Sequence, residues 1–282
     1  MRIVMLIENT AATSRLAVQH GLSMFIEGER ESYLFGLGGD SKLLSNAARL
    51  KLSVKSVQKA VISHNHPAHT GGAEALLNEN PRLMIYAKES ACRHQVKKNG
   101  TVLRSRDSLV RLAENYPDNT VLFRNFQEVG KDFYLMSNEV FDREFYNIEK
   151  SNRIMENGEI KPFDPSSECF GVLFPYERKE DGCVIIAGCC HCGAPNIIRT
   201  VKNTWQDVPV IAFIGGLHLM GSNTKKLSVS GEYIERLAKE FRELAVGTVY
   251  VCHCVGLKGY EELKRLMGER VRYLQTGEEI DF

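Results

Sequence analysis

The alternation of apolar and polar positions changes character near residue 56. Before it, short apolar runs at Arg2–Ile7, 22–26 and 33–35 are separated by charged or turn-forming residues, the pattern of an antiparallel meander. After it, apolar runs at 57–63, 83–87, 183–187, 208–214 and 248–252 alternate with stretches of helical period. The clearest helix begins near Glu232, where Ile234, Leu237, Ala238, Phe241, Leu244 and Ala245 fall on one face with charges between them. Alternating strands and helices predict an α/β protein whose sheets are covered by helices. Residues from about 130 to 167 are polar, rich in Asn, Glu and Pro and without a clear period, and are predicted as a surface insertion or lid on a single domain spanning 1–282.

A chain of 282 residues with 43% hydrophobic content can bury a large core. Its charged residues net to +1 with no long basic run, so nucleic acid is not expected as a partner, since phosphate binding needs clustered Lys and Arg. Glu8 interrupts the N-terminal apolar run MRIVMLIENT before it reaches the length of a signal core or a membrane span, which predicts a cytoplasmic protein with no membrane partner. Five of the eight cysteines, Cys189, Cys190, Cys192, Cys252 and Cys254, crowd two short segments, a distribution that suits reduced thiols better than a disulfide framework. Nothing in the sequence sets the oligomeric state.

The histidines carry the chemistry. Six of the eight fall just after an apolar strand: His64, His66 and His69 after AVIS, His191 after CVIIAGCC, His218 after VIAFIGGL and His253 after TVYVC. Loops at the carboxyl ends of strands are where α/β folds gather binding groups, so these segments predict one shared metal site. His64 and His66, two apart in extended chain, point the same way, and His69 beyond the turn faces a second position. Neutral imidazoles suit zinc, iron, manganese or nickel. His20 and His94 lack the strand-end context and are read as structural or solvated.

The segments SHNHPAHTGG, HGLS at 20–23, LFGLG at 34–38, GCCHCG at 188–193, GGLHL at 215–219 and CHCVG at 252–256 resemble the metallo-β-lactamase superfamily. Within it they are most similar to the branch named for dihydropterin ribofuranosyl-aminobenzene phosphate synthases. The resemblance implies an αββα sandwich with one or two divalent metals between the sheet edges and a small-molecule substrate. Zinc is the first choice, with iron or manganese as alternatives. By the same resemblance His64, His66 and His191 hold the metal, His69 and His253 belong to a second position, and His218 faces metal or substrate.

Two carboxylates of the family pattern are missing. HxHxDH reads HNHPAH, which puts Ala68 at the aspartate, and LFDTG reads LFGLG, which puts Gly36 at a supporting one. An acidic stretch of the family is kept in part, as Asp164 and Glu168. These departures predict an atypical mononuclear site in a metal-dependent hydrolase or transferase-like enzyme acting on a small, phosphorylated or pterin-like molecule. The other reading left open is a catalytically silent relative that binds a small ligand or partner in the same pocket. Redox chemistry ranks last, because the family's di-iron members carry carboxylates where this sequence has none. Whether Cys190, Cys192 or Cys252 supplies a thiolate ligand is also open at this stage. Cys189 and Cys254 flank the same histidines and share that possibility, against a strong reading as small buried residues, while Cys92, Cys169 and Cys183 are read as structural.

Overall fold

The computed structural model describes residues 1–99, 102–105, 107–146, 152–221 and 226–282. Two seven-stranded sheets stack face to face. The first runs in the order Glu279–Asp281, Arg2–Ile7, Ser23–Glu27, Ser32–Phe35, Lys59–Ile62, Met84–Lys88, Thr120–Phe123. The second runs Val271–Tyr273, Thr248–Val251, Val210–Gly215, Cys183–Ile186, Cys169–Leu173, Phe133–Ser137, Phe126–Gly130. The expected meander is present as antiparallel pairing of Arg2–Ile7 with Ser23–Glu27 and of that strand with Ser32–Phe35. From Ser32–Phe35 onward the first sheet is parallel, and in the second sheet the four strands from Cys183–Ile186 to Val271–Tyr273 are parallel.

Three apolar clusters give the layers their order. Met5, Met24, Phe35 and Val61 of the first sheet meet Phe133, Leu135, Val184 and Ile214 of the second in the central layer. Leu34, Ala60, Ile62 and Ile85, on the other face of the first sheet, pack under helices Lys42–Arg49, Ala73–Glu79 and Ser108–Asn115 through Leu43, Leu76 and Leu109. Ile185, Phe213 and Val249 pack under Ala194–Thr204, Gly231–Glu243 and Gly256–Met267 through Ile198, Phe241 and Leu263. The result is an αββα sandwich, as expected. Strands buried on both faces read as continuous apolar runs, which explains why their sequence signal was strong. Helix Gly231–Glu243 buries Ile234, Leu237, Ala238 and Phe241, and the Ser230 side chain caps its first turn by accepting from the Tyr233 N–H.

The stretch 130–167 differs from a uniform surface insertion. Phe133–Ser137 is a fully buried strand of the second sheet, whose apolar run of four residues is too short to lift the polarity of its surroundings. Asn152–Glu156 and Glu159–Pro162 stand apart and pair with Gln95–Asn99 and Val102–Ser105 in a four-stranded sheet, while 147–151 lie outside the described residues. Among the described residues, no helix is long and apolar enough to cross a membrane.

The loop after Ser32–Phe35 braces the histidine turn: Gly36 N–H donates to Val61 O at 2.8 Å and Leu37 N–H to His69 O at 3.0 Å. Gly36 has φ +74°, and a Cβ there would lie 2.4 Å from the Leu22 carbonyl oxygen. No side chain fits without displacing this backbone, so the position cannot accept a carboxylate. Gly36→Ala is expected to destabilise the fold by about 2–4 kcal/mol; a denaturation midpoint unchanged from the parent would contradict this account of the loop.

Candidate metal centre

Each candidate donor sits just beyond the carboxyl end of a parallel strand. His64 and His66 follow Lys59–Ile62, and His69 turns back on the short helix Pro67–Thr70. His191 follows Cys183–Ile186, His218 follows Val210–Gly215, and His253 follows Thr248–Val251. Cys190, His218 and His253 have left-handed backbone, with φ of 55°, 49° and 52°. Residues other than glycine adopt this conformation only when their surroundings hold them there. At His253 the holding groups are visible: Glu8 Oε2 accepts its N–H at 3.2 Å and Asn9 Nδ2 donates to its carbonyl at 2.7 Å. Glu8 is fully buried and also accepts the Tyr273 hydroxyl at 3.0 Å and the backbone and hydroxyl of Thr10. Burial raises its pKa, against the lowering effect of these hydrogen bonds.

The six strand-end histidines meet in one cluster. Ring centroids lie 4.3 Å apart for His64 and His69, 4.5 Å for His64 and His66, 5.1 Å for His66 and His191, 5.0 Å for His69 and His253, and 4.4 Å for His191 and His218. None of the six is more than 8% exposed. His64 Nε2 and His66 Nδ1 face each other at 2.9 Å. Two nitrogens on one tetrahedral zinc stand roughly 3.3 Å apart, so this pair is close to sharing an ion. The outer nitrogen of His64, Nδ1, is 3.0 Å from Ser63 Oγ and 3.5 Å from Glu168 Oε1, the type of contact that fixes a ligand's tautomer and orientation. Glu168 Oε2 also accepts the Cys192 N–H at 3.2 Å, so one buried carboxyl steadies two of the donor loops. The sheets approach closely here because of Gly188, where a Cβ would lie 2.3 Å from Ser63 Oγ.

The sequence left a thiolate ligand open among the five crowded cysteines and favoured the small buried reading; the structure brings two of them, Cys189 and Cys254, into the cluster. Cys189 joins three groups of donors whose ligand atoms lie within 4.8 Å of one another: one with His64 and His191, one with His69 and His253, and one with His218 and Cys254. Its sulfur is 3.2 Å from His69 Nε2. The signal was present in the spacing, since Cys189 and His191 alternate just as His64 and His66 do. Cys190, Cys192 and Cys252 are buried in the apolar clusters and join none of these groups. All eight cysteines are free thiols. His20, expected to be structural, stacks on His253 with centroids 4.7 Å apart, while His94 is exposed beside Asp107. Phe163 roofs the cluster, its ring 5.4 Å from His66 and 5.2 Å from His191.

Burial sets the protonation. It drives the pKa values of His64 and His253 well below the ordinary range and that of His69 down to about 3, with the neighbouring imidazoles adding to the effect. It pushes the Glu168 carboxyl up to about 8, although the N–H groups of Cys192 and His191 oppose it. It raises Cys189; Cys254, despite the same burial, is held low by hydrogen bonds from Cys189 and from His218, whose N–H is 3.1 Å from its sulfur. Neutral imidazoles with a thiol among them form a donor set suited to zinc or iron(II).

No family model matches the chain. It is similar to 7,8-dihydropterin-6-methyl-4-(β-D-ribofuranosyl)-aminobenzene-5′-phosphate synthase of Methanocaldococcus jannaschii, with 26% identity covering 94% of this chain and 90% of that protein. Among solved structures it is similar to Tm1679, described as a metal-dependent hydrolase of the β-lactamase superfamily, with a TM-score of 0.80, 24% identity and coverage of 100% and 99% of the two chains. It is also similar to the metallo-β-lactamase fold protein YhfI from Bacillus subtilis, with a TM-score of 0.60, 12% identity and coverage of 99% of each chain.

The depressed imidazole pKa values predict acid sensitivity of the metal-free protein. Below the ordinary histidine value of 6.5 the unfolded chain takes up protons that the folded cluster refuses, so stability is full above about 6.5 and is lost as the pH falls. For His69, with a pKa of about 3, the loss reaches at most about 5 kcal/mol, and His64 and His253 add to it. Glu168 and Glu8 act in the opposite sense, since a raised carboxyl value costs stability as the pH climbs above 4.5, but they are two groups against three. Denaturation midpoints of metal-free protein should therefore fall between about pH 7 and pH 5; a flat or rising profile would mean that the imidazoles are not buried as described.

Proposed function

With the metallo-β-lactamase fold as its frame, we propose that the protein is a metal-dependent hydrolase or transferase acting on a small, phosphorylated or pterin-like molecule. The observation that supports this most is the gathering of six buried strand-end imidazoles in one cluster, with His64 Nε2 and His66 Nδ1 turned toward each other. His64, His66 and His191 would hold a divalent ion, zinc in the first instance, with iron or manganese as alternatives. His69 and His253 belong to a second position. A divalent ion in such a site lets bound water ionise near neutral pH and polarises a phosphoryl or carbonyl oxygen.

The residues of the chain supply the rest. Burial keeps His64, His69 and His253 unprotonated, so their lone pairs stay available without competition from protons. Ser63 and Glu168 orient His64, while Glu8 and Asn9 fix the loop that carries His253. His218 lies at the edge of the cluster, where it can donate to a developing negative charge on the substrate. Phe163 closes the cluster against water and offers an aromatic face near the histidines, which suits a flat heterocycle such as a pterin. The reduced thiols and the balance of charge fit a cytoplasmic protein with a small-molecule substrate rather than nucleic acid. Ala68 favours a second reading, in which the same pocket binds a small ligand without turning it over.

Metal content separates the two readings. Protein purified without added metal is expected to carry a tightly bound divalent ion, and His66→Ala is expected to weaken that binding by at least about 100-fold, since it removes one of three donors. Elemental analysis after gel filtration measures both. A His66→Ala protein that keeps a full complement of metal would overturn the assignment, and a parent that carries none would favour the silent binder.

A further inference from the structure

The missing carboxylate at Ala68 raises the question of what else could supply negative charge to a second metal position in this chain. Cys189 is the one residue common to the three donor groups, and it is 4% exposed. On one side it reaches His64 and His191, and on the other His69 and His253. These are the two sets of imidazoles that the sequence assigns to separate positions. The sulfur to His69 Nε2 distance of 3.2 Å is close to the roughly 3.5 Å expected between a thiolate and an imidazole nitrogen on one tetrahedral ion. The backbone favours such a ligand as well. The left-handed φ of Cys190 turns the loop between Cys189 and His191, and Cys190 packs into the apolar cluster.

We propose that Cys189 is a metal ligand shared by both positions, its thiolate bridging one ion held with His64 and His191 and a second held with His69 and His253. The proposal rests on the metal-dependent reading above and goes beyond it by naming one sulfur ligand common to both positions. When the metal–sulfur bonds form, the thiol proton leaves to solvent and the sulfur carries the negative charge that Ala68 cannot supply. The imidazoles stay neutral and no electron changes hands. Cys254 accepts the His218 N–H at 3.1 Å and, of the three groups, joins only the one with Cys189 and His218, so it belongs to neither of these two positions. A soft bridge selects zinc, iron(II) or cobalt(II) over magnesium or calcium.

Cobalt(II) makes the bond visible, because a thiolate ligand gives it an intense near-ultraviolet charge-transfer band that imidazole alone does not. Metal-free full-length protein titrated with cobalt(II) alone is expected to bind about two equivalents and to develop this band. Cys189→Ser should lose the band and about one equivalent, Cys189→Asp should lose the band but keep both equivalents, and Cys92→Ala, far from the loops, should match the parent. Circular dichroism checks that each variant is folded, and Cys189→Asp serves if the serine variant is not. A band that survives in either Cys189 variant, or that disappears in Cys254→Ser alone, overturns the proposal. A parent that binds cobalt without the band refutes the thiolate bridge and leaves the histidine site standing, whereas a parent that binds no cobalt refutes the metal-dependent reading itself.

Discussion

Crowding six imidazoles and two thiols into a dry seam is the constraint on which the rest of this structure depends. A proton on His64, His69 or His253 would be buried among other imidazoles, so the folded state holds these three neutral. The donors face one another across the seam, with His64 Nε2 2.9 Å from His66 Nδ1 and Cys189 Sγ 3.2 Å from His69 Nε2. The fold therefore holds these groups from behind, through Ser63 and Glu168 on the first sheet side and through Glu8 and Asn9 on the other. The energy for that arrangement comes from elsewhere, in the apolar clusters between the sheets and under the helices.

Much of this was legible in the sequence because buried parallel strands announce themselves as continuous apolar runs. The strands preceding the candidate donors were located to within two residues, and once they were placed, the histidines after them had nowhere to go but the same rim. The meander and the helix from Gly231 followed from periods of two and 3.6 residues. What the sequence hid was mostly non-local. The strand Phe133–Ser137 sits in polar surroundings, and the four-stranded sheet pairs segments some fifty residues apart with no shared signature.

The polar supports were harder still. Glu8 reads as a charge interrupting an apolar run, and only the structure shows its carboxyl accepting a backbone N–H more than two hundred residues away. Cys189 looked like a small hydrophobe because cysteine is commonly buried, although its alternation with His191 repeats that of His64 with His66. Gly36 illustrates the opposite case. Seen as a lost aspartate it suggests a repair, but its positive φ and its contact with Leu22 leave no room for any side chain. The loop is shaped for glycine, so the chain has adapted to the absence of that carboxylate.

The two sheets draw on different parts of the chain, the first on residues 2–123 with a return strand at 279–281 and the second on 126–273. The donor cluster lies across the line where they meet, with His64, His66 and His69 on one side and His191, His218 and His253 on the other. In mechanical terms this line is a joint. Sheets that touch mainly through interlocking apolar side chains resist separation well but resist sliding less, because dispersion contacts have little directional preference. Bonds made across the joint at one end are directional, and they would pin the sliding coordinate there while leaving the opposite end compliant. The molecule would then be stiffest at the rim that carries its chemistry, and relative movement of the two sheets would be displaced toward the far end of the sandwich.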